Sequence, residues 1–426
     1  MKKFLALIIA LVMALSLVAC GEQKQPDTPD VPDDGEQTAT IKVGFITLHD
    51  ENSTYDLNFI NAAKEAIANL GLTENDYILK TNIEEGQKCY DTAAELADAG
   101  CNIIFADSFG HESYMIQAAK DFPNVQFCHS TGTRAHTENL PNYHNAFASI
   151  YEGRYLAGIA AGMKMNEMIE AGKFTADEAK MGYVGAFTYA EVVSGYTSFY
   201  LGAKTVCPTV TMDVTFTGSW YDEALEKEGA QLLIDKGCNL ISQHADSLGA
   251  PTACENAKVP NVSYNGSTKE AGPNTYIISS RINWAPYYQY AIQCVIDGKA
   301  IDADWTGTLA TGSVVLTELN TDVAAAGTQE AIDAAIAKLE SGELHVFDCA
   351  TFTTKADDTM NPFKVDFLKV DADGHITSYL ADVDTDEAYT GDTEVVENGY
   401  FAESAKRSAP YFDLQIDGIN LLNTAM

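Results

Sequence analysis

The sequence predicts an α/β protein made of two similar lobes around parallel sheets, with a ligand cleft between them. Three observations carry that prediction. Short strands that are apolar on both faces alternate with amphipathic helices, the pattern of a sheet covered on both sides. The 426 residues are too many for one compact core and suit two domains. The stretch "GCNIIFADSFG" at Gly100 returns as "GCNLISQHADSLG" at Gly237, so one structural unit is written twice.

The elements follow in order. "IKVGFIT" (41–47) reads as a buried strand, and 57–71 as a helix closed by Gly71. "YILKTN" is a second strand, and 84–100 a helix that also ends in glycine. "NIIFA" is a third strand, "HESYMIQAAKDFP" a helix and "VQFCHS" a fourth strand. A second set then begins. A long helix over 151–172 precedes the strand "MGYVGAF", the helix "SGYTSFYLGAKTV" and the strand "VTMDVTFTG". Helix 221–237, strand "NLISQ", a short helix from Gly249 and strand "NVSYN" complete it. "NTYIISS" (274–280) is a strand near a hinge, followed by helix 284–298, strand 312–319 and helix 325–342. The last 80 or so residues are strand-like with Asp- and Gly-rich turns. The expected domains are therefore discontinuous. Lobe 1 spans 41–147, with 281–310 and part of the C-terminal region returning to it. Lobe 2 spans 148–280 with 311–345, and 346–426 is a β-rich extension.

The N-terminus reads as a targeting segment. Lys2 and Lys3 precede the apolar run Phe4 to Ala19, too short for a spanning helix and followed at once by a polar tail. Residues 1–19 are read as a signal peptide. Residues 20–40, rich in Pro, Asp, Gln and Thr, bury too little apolar surface to fold and read as a tether. The formal net charge is −35, or −37 once the two lysines of the leader are removed. Such a surface repels nucleic acid. Nine cysteines form no CxxC pair and no zinc spacing, so no metal is expected. The eight beyond Cys20 read mainly as small buried hydrophobes, with disulfides left open.

In open parallel sheets ligands bind beyond the carboxyl ends of strands. Both Ala-Asp-Ser turns lie there: Asp107 and Ser108 with Phe109 in the first copy, Asp246 in the second. Other strand-end loops supply Tyr55, Glu191, Trp220, Tyr221, Asn265 and Trp284. Aromatic rings mixed with carboxylates and amides suit a flat heteroaromatic ligand, whose faces stack and whose edge needs donors and acceptors. Phe109 and Trp220 are expected to sandwich a ring, and Asp246 to accept from an amine or ring N–H. The alternatives are structural: Asp-Ser as a helix cap, Trp220 as a hydrophobic staple, Phe109 as core. Enzyme motifs are missing: no GxSxG, HExxH or GxxxxGK[ST] occurs, and no cofactor is expected. "DADGH" (371–375) matches part of a calcium loop but lacks its ligand series and reads as a β-turn.

Taken together, "VGFITLHDENSTYD", "IIFADSFG", "IYEGRYLAGIAAG", "MGYVGAF", "SWYDEALEKEGAQLLIDKGCNLISQHADS", "SYN" and "NWAPYY" resemble the basic membrane lipoprotein family. Its members are solute-binding proteins of ATP-binding cassette importers, and the resemblance, over about 41–342, is greatest to the purine branch. It implies a type I periplasmic-binding-protein fold, two Rossmann-like lobes joined by three crossings. "LVAC" resembles a lipobox, which implies lipid on Cys20 and anchorage at the extracytoplasmic face of the cell membrane. The resemblance implies a monomer that captures a purine nucleobase or nucleoside and passes it to a permease and its ATPase. Nucleoside binders carry Asn-Asp and Ser-Phe-Asn in the first loop, where this chain has Ser53-Thr54 and Asp56-Leu57-Asn58; that difference favours a nucleobase or another small heteroaromatic over a ribose-bearing ligand. A sensor ectodomain without transport, or an enzyme acting on nucleosides, are the alternatives.

Overall fold

The computed structural model describes residues 41–354, 367–383 and 393–426. The signal peptide, Cys20 and the tether lie outside the described residues. Lobe 1 opens with β1 (Val43–Ile46), α1 (Thr54–Asn69), β2 (Tyr77–Lys80), α2 (Gln87–Asp98) and β3 (Ile103–Ala106). It continues with α3 (Glu112–Asp121), β4 (Gln126–Ser130), the single-turn α4 (Ala135–Glu138) and β5 (Tyr143–Ala148). Helix α5 (Ile150–Glu170) leads into lobe 2: β6 (Lys180–Gly185), α6 (Ala190–Val206), β7 (Thr211–Phe216), α7 (Glu223–Asp235) and β8 (Leu240–His244). Then come α8 (Gly249–Ala257), β9 (Asn261–Tyr264) and β10 (Tyr276–Ile282). Helix α9 (Ala285–Asp297) and β11 (Asp304–Gly307) return to lobe 1, while β12 (Val314–Leu316) and α10 (Thr328–Ser341) return to lobe 2. The chain thus passes between lobes at 148–150, 282–285 and 307–314.

The first sheet has the order β11-β5-β4-β3-β1-β2 and is parallel throughout. The second runs β12-β10-β9-β8-β6-β7 and ends in β18 (Ile419–Leu421), with only β12 antiparallel. Central strands are buried at every residue, as in Val43–Ile46 and Ile103–Ala106. That is why they read as continuous apolar runs rather than alternating ones.

The repeated Gly-Cys-Asn has the same structural job in both lobes. Gly100 and Gly237 take positive φ (89° and 86°) just past α2 and α7, a conformation glycine adopts without strain. The cysteine that follows is buried. The asparagine ties the new strand to its neighbour. Asn102 Oδ1 accepts from the Lys42 N–H at 2.8 Å, and Asn239 Oδ1 accepts from the Lys180 N–H at 3.2 Å. The repeat therefore sets each central strand at the same height, and leaves its Ala-Asp-Ser at the far end.

Lobe 1 packs Phe45 on Phe105 with ring centroids 5.3 Å apart. In lobe 2 the backbones of α5 and α6 touch through two glycines. A Cβ on Gly158 would sit 2.0 Å from the Phe199 carbonyl oxygen, and one on Gly202 2.0 Å from that of Tyr155. Between α10 and β18 lie β13 (Leu368–Val370), β14 (Ile376–Ala381), β15 (Thr393–Glu394), β16 (Val396–Glu397) and β17 (Tyr400–Phe401). "DADGH" is the turn of the β13–β14 hairpin, where Asp371 Oδ1 accepts from the N–H groups of Asp373 and His375. Phe347, Phe401 and Phe412 of this extension share one hydrophobic cluster with lobe 2. Strand β18 joins lobe 2 beside β7. Contact with lobe 1 is made elsewhere, where the Ser408 N–H donates to Asp304 Oδ2 at 2.8 Å.

All eight cysteines from Cys89 to Cys349 are buried and free, so none is in a disulfide. Among the described residues no helix is long and apolar enough to cross a membrane.

Candidate functional site

The carboxyl ends of the two sheets face each other across a cavity with about 330 Å³ of empty space, part of it open to solvent. Lobe 1 contributes Leu48, Tyr55, Ser108, Phe109 and Thr131. Lobe 2 contributes Glu191, Trp220, His244 and Asp246.

The first loop is shaped by its acids. Ser53 caps α1 and donates its hydroxyl to Asp56 Oδ2 at 2.6 Å, so the helix begins at Thr54, three residues before the expected start. Burial raises the Asp56 carboxyl, but hydrogen bonds from His49 and Ser53 outweigh it and hold Asp56 below the usual carboxylate range. Next to Asp56, Tyr55 donates its hydroxyl to the Asp107 carbonyl at 2.6 Å, which fixes its ring at the cavity wall. Asp107 itself is buried, and its Oδ1 accepts from the Leu48 N–H at 3.1 Å. Desolvation and the neighbouring Asp56 push its carboxyl well above the ordinary value.

The Ala-Asp-Ser turns diverge in detail. Ser108 donates its hydroxyl to Glu85 Oε1 at 2.6 Å, and the Gly110 N–H reaches the same oxygen at 2.8 Å. That anchors the short 3₁₀ turn (Phe109–His111) and leaves Phe109 38% exposed at the cavity. In the second copy the Ser247 N–H donates to both carboxylate oxygens of Glu226, at 3.1 and 3.2 Å. Asp246 is 4% exposed, and Asn265 Nδ2 reaches its Oδ1 at 3.4 Å. Desolvation, with Asp56, Glu226 and Glu191 nearby, pushes the Asp246 carboxyl well above the ordinary value.

The lobes are in contact across the cleft. The Thr54 N–H and hydroxyl both donate to the Asp246 carbonyl, at 3.0 and 3.2 Å. Phe109 stacks on Tyr189 with centroids 5.3 Å apart, and His49 lies 5.4 Å from Tyr221. Tyr189 touches both rings that the sequence pairs: Trp220 is tilted against it at 6.1 Å and meets Phe187 edge-on at 5.1 Å. Phe109 and Trp220 thus flank the cavity within an array of four rings.

Among the described residues, no Lys or Arg lines the cavity. His244 is buried, with Nε2 3.5 Å from Glu191 Oε1; burial lowers its pKa, so the imidazole is neutral at pH 7. The lining offers carboxylates, hydroxyls and π-faces, a set that accepts hydrogen bonds from a neutral or cationic ligand and repels an anion.

Six of the residues singled out in the sequence meet at this cavity: Tyr55, Ser108, Phe109, Glu191, Trp220 and Asp246. Four do not line it. Asp107 lies behind the wall, and Asn265 touches it only through Asp246. Tyr221 sits at the rim against His49. Trp284 is a correction: it is 1% exposed and stacks on Phe59 at 4.5 Å in the lobe 1 core. It follows a strand that carries the chain out of lobe 2, so its ring packs below the cleft rather than into it. Thr131, His244 and Leu48 complete the lining. Thr131 follows β4, and the rule that ligands sit at strand ends points to that loop as well. Glu85 and Glu226 act from helix starts and carry no local sequence signal for their roles.

Comparison with known proteins agrees with this geometry. The family model for PnrA-like substrate-binding proteins of ABC transporters matches residues 44–342. A purine-binding protein of Brucella abortus (strain 2308) is 31% identical over 314 residues, covering 72% of this chain and 83% of that one. A protein of Haloferax volcanii, provisionally assigned to glucose binding in an ABC transporter, is 33% identical over 268 residues; the match covers 62% of this chain and 63% of that relative. Among solved structures, a solute-binding protein of an ABC transporter system from Aeropyrum pernix K1 superposes with a TM-score of 0.60 at 17% identity, over 75% of this chain and 94% of that one. That likeness concerns the fold. The two facing parallel sheets, the cleft at their carboxyl ends and the family match over most of the chain lead to one conclusion: the protein belongs to the PnrA-like family of ABC-transporter substrate-binding proteins, and is a solute-binding protein rather than an enzyme.

Proposed function

We propose that the protein captures a purine-type ligand between its lobes and delivers it to an ABC permease. One observation carries the ligand class: the cavity joins aromatic rings to the buried acceptor Asp246, with no cation among the described residues of its lining. A purine presents flat faces to Phe109 and Trp220. Its N–H edge gives Asp246 the donor that a buried carboxylate requires. A ligand that touches both lobes favours the closed state in which the Thr54–Asp246 bridge forms. The purine-binding relative supports this reading. Lipid on Cys20 would hold the protein at the extracytoplasmic face, with residues 21–40 as tether.

Calorimetry with adenine, guanine, hypoxanthine and glucose tests it. The expected result is binding of at least one purine and none of glucose. Glucose binding without purine binding overturns the reading. For the anchor, Cys20→Ala should release the protein from the membrane fraction; an unchanged distribution overturns lipidation.

A further inference from the structure

A separate cavity is lined by Thr54 and Asn265, the two residues that donate to Asp246, and shares no lining residue with the interlobe cavity. It has about 770 Å³ of empty space, its open mouth included. Lobe 1 supplies Thr54, Asn58 and Glu65 from one face of α1, where residues four and seven apart fall together. Arg281 comes from β10 and Asn265 from the loop after β9, so the walls belong to both lobes. Two groups in these walls lack partners. Arg281 is half-buried, and its guanidinium makes no hydrogen bond or ion pair among the described residues. Burial lowers its pKa, and Glu65 is the carboxylate whose charge opposes that shift. Asn58 is 8% exposed, and its Nδ2 has no hydrogen-bond partner among the described residues. A guanidinium that has lost water without gaining an acceptor is costly, and so is a buried amide N–H without one.

The lining selects the chemistry. The fork of a guanidinium matches a carboxylate, and an amide N–H adds a further donor to it. Glu65 opposes a phosphate or a free carboxylate, as does the chain's net charge of −35. A zwitterion avoids both penalties. It carries no net charge, and its cationic end gives Glu65 the partner that its anionic end gives Arg281. Glu65 and Arg281 form no ion pair with each other among the described residues, so both ends of such a ligand find a free group. We propose that this cavity binds a small zwitterion of the amino acid class, its carboxylate on Arg281 and Asn58 and its ammonium on Glu65. An occupant there touches α1 of lobe 1 and β10 of lobe 2, so it favours the closed arrangement of the lobes. The site is independent of the purine reading above.

Thermal-shift measurements on the full protein with the common L-amino acids, and with acetate and methylammonium at the same concentration, test the proposal. At least one amino acid should raise the melting temperature, because it binds only the native form, while acetate and methylammonium should not. Titration calorimetry of that amino acid then compares the wild type with Arg281→Gln and Glu65→Gln. Each variant should bind it at least tenfold more weakly. Melting of the unliganded variants establishes that they fold, and Glu65→Gln, at an exposed helix position, decides the matter where Arg281→Gln does not. No shift with any amino acid, a shift with acetate or methylammonium as large as with the amino acid, or an affinity unchanged in a folded variant each overturns the proposal. All three results leave the purine reading standing, since that reading is decided by adenine, guanine and hypoxanthine alone.

Discussion

Replacing Asp246 by Asn should move stability and affinity in opposite directions. The carboxyl is 4% exposed, stands near Asp56, Glu191 and Glu226, and has a weak neutral donor in Asn265 at 3.4 Å. Its ionised form is therefore unfavourable in the empty cleft, which is why desolvation raises its pKa. A folded-state pKa above the unfolded value contributes stability that is present at low pH and lost as pH rises through the raised pKa. The amide of Asp246→Asn does not titrate, so the variant should melt above the wild type at pH 8, and the gain should shrink toward pH 4. Ligand binding responds in the other sense. A hydrogen bond to a charged acceptor contributes about 1.5–3 kcal/mol, and its loss weakens binding by roughly 10- to 150-fold. Binding to the wild type should also strengthen as pH rises, because the ligand's N–H selects the carboxylate. The assay is scanning calorimetry of the unliganded proteins with titration calorimetry of adenine at pH 5 and 8. A variant that is less stable at pH 8, or that binds as tightly as the wild type, would mean that Asp246 is neither a strained buried carboxyl nor the ligand's acceptor.

Three further outcomes follow from the same structure. Trp220→Ala removes one flank of the cavity and should weaken purine binding at least tenfold, about 1.4 kcal/mol, by titration calorimetry; an unchanged affinity would move the pocket elsewhere. Glu226, whose carboxyl burial raises to about 7 from an ordinary 4.5, should respond to pH as Asp246 does. Glu226→Gln should match the wild type near pH 4, below the unfolded value, and exceed it at pH 8.5 by up to about 3 kcal/mol in urea melts, since each pKa unit corresponds to about 1.4 kcal/mol; equal stability at both pH values counts against it. Gly202→Ala puts a methyl 2.0 Å from the Tyr155 carbonyl oxygen and should cost about 3 kcal/mol or more in the same assay, whereas a loss under 0.5 kcal/mol would mean that α5 and α6 do not pack this closely.

The parts of the fold that announce themselves in the sequence are those built from local apolar runs. Central strands such as Val43–Ile46 and helices closed by glycine are readable because burial on both faces and positive-φ caps each leave a local mark. Strand β5 does not read as a strand because it buries polar residues. His144 bonds Gln126, and Asn145 Oδ1 accepts from the Ala135 N–H, so its composition looks like a loop. Strand β18 pairs with β7 across some two hundred residues, and no periodicity reports a partner that distant. Within the cleft, the repeated Ala-Asp-Ser leads to Ser108 and Asp246 because a duplicated turn at equivalent strand ends has a geometric meaning. Trp284 misleads because an aromatic just after a strand can turn toward the core as readily as toward the cleft. Thr131 is silent because its importance lies in its backbone angle and its unpartnered hydroxyl.

The decisive measurement of how the two lobes hold a purine is a crystal structure of the protein grown with adenine. The expected result is a planar ligand in the interlobe cavity, flanked by the rings of Phe109 and Trp220, with an N–H within about 3.2 Å of an Asp246 carboxylate oxygen. Adenine bound elsewhere, or seated between the lobes with Asp246 turned away, would contradict it.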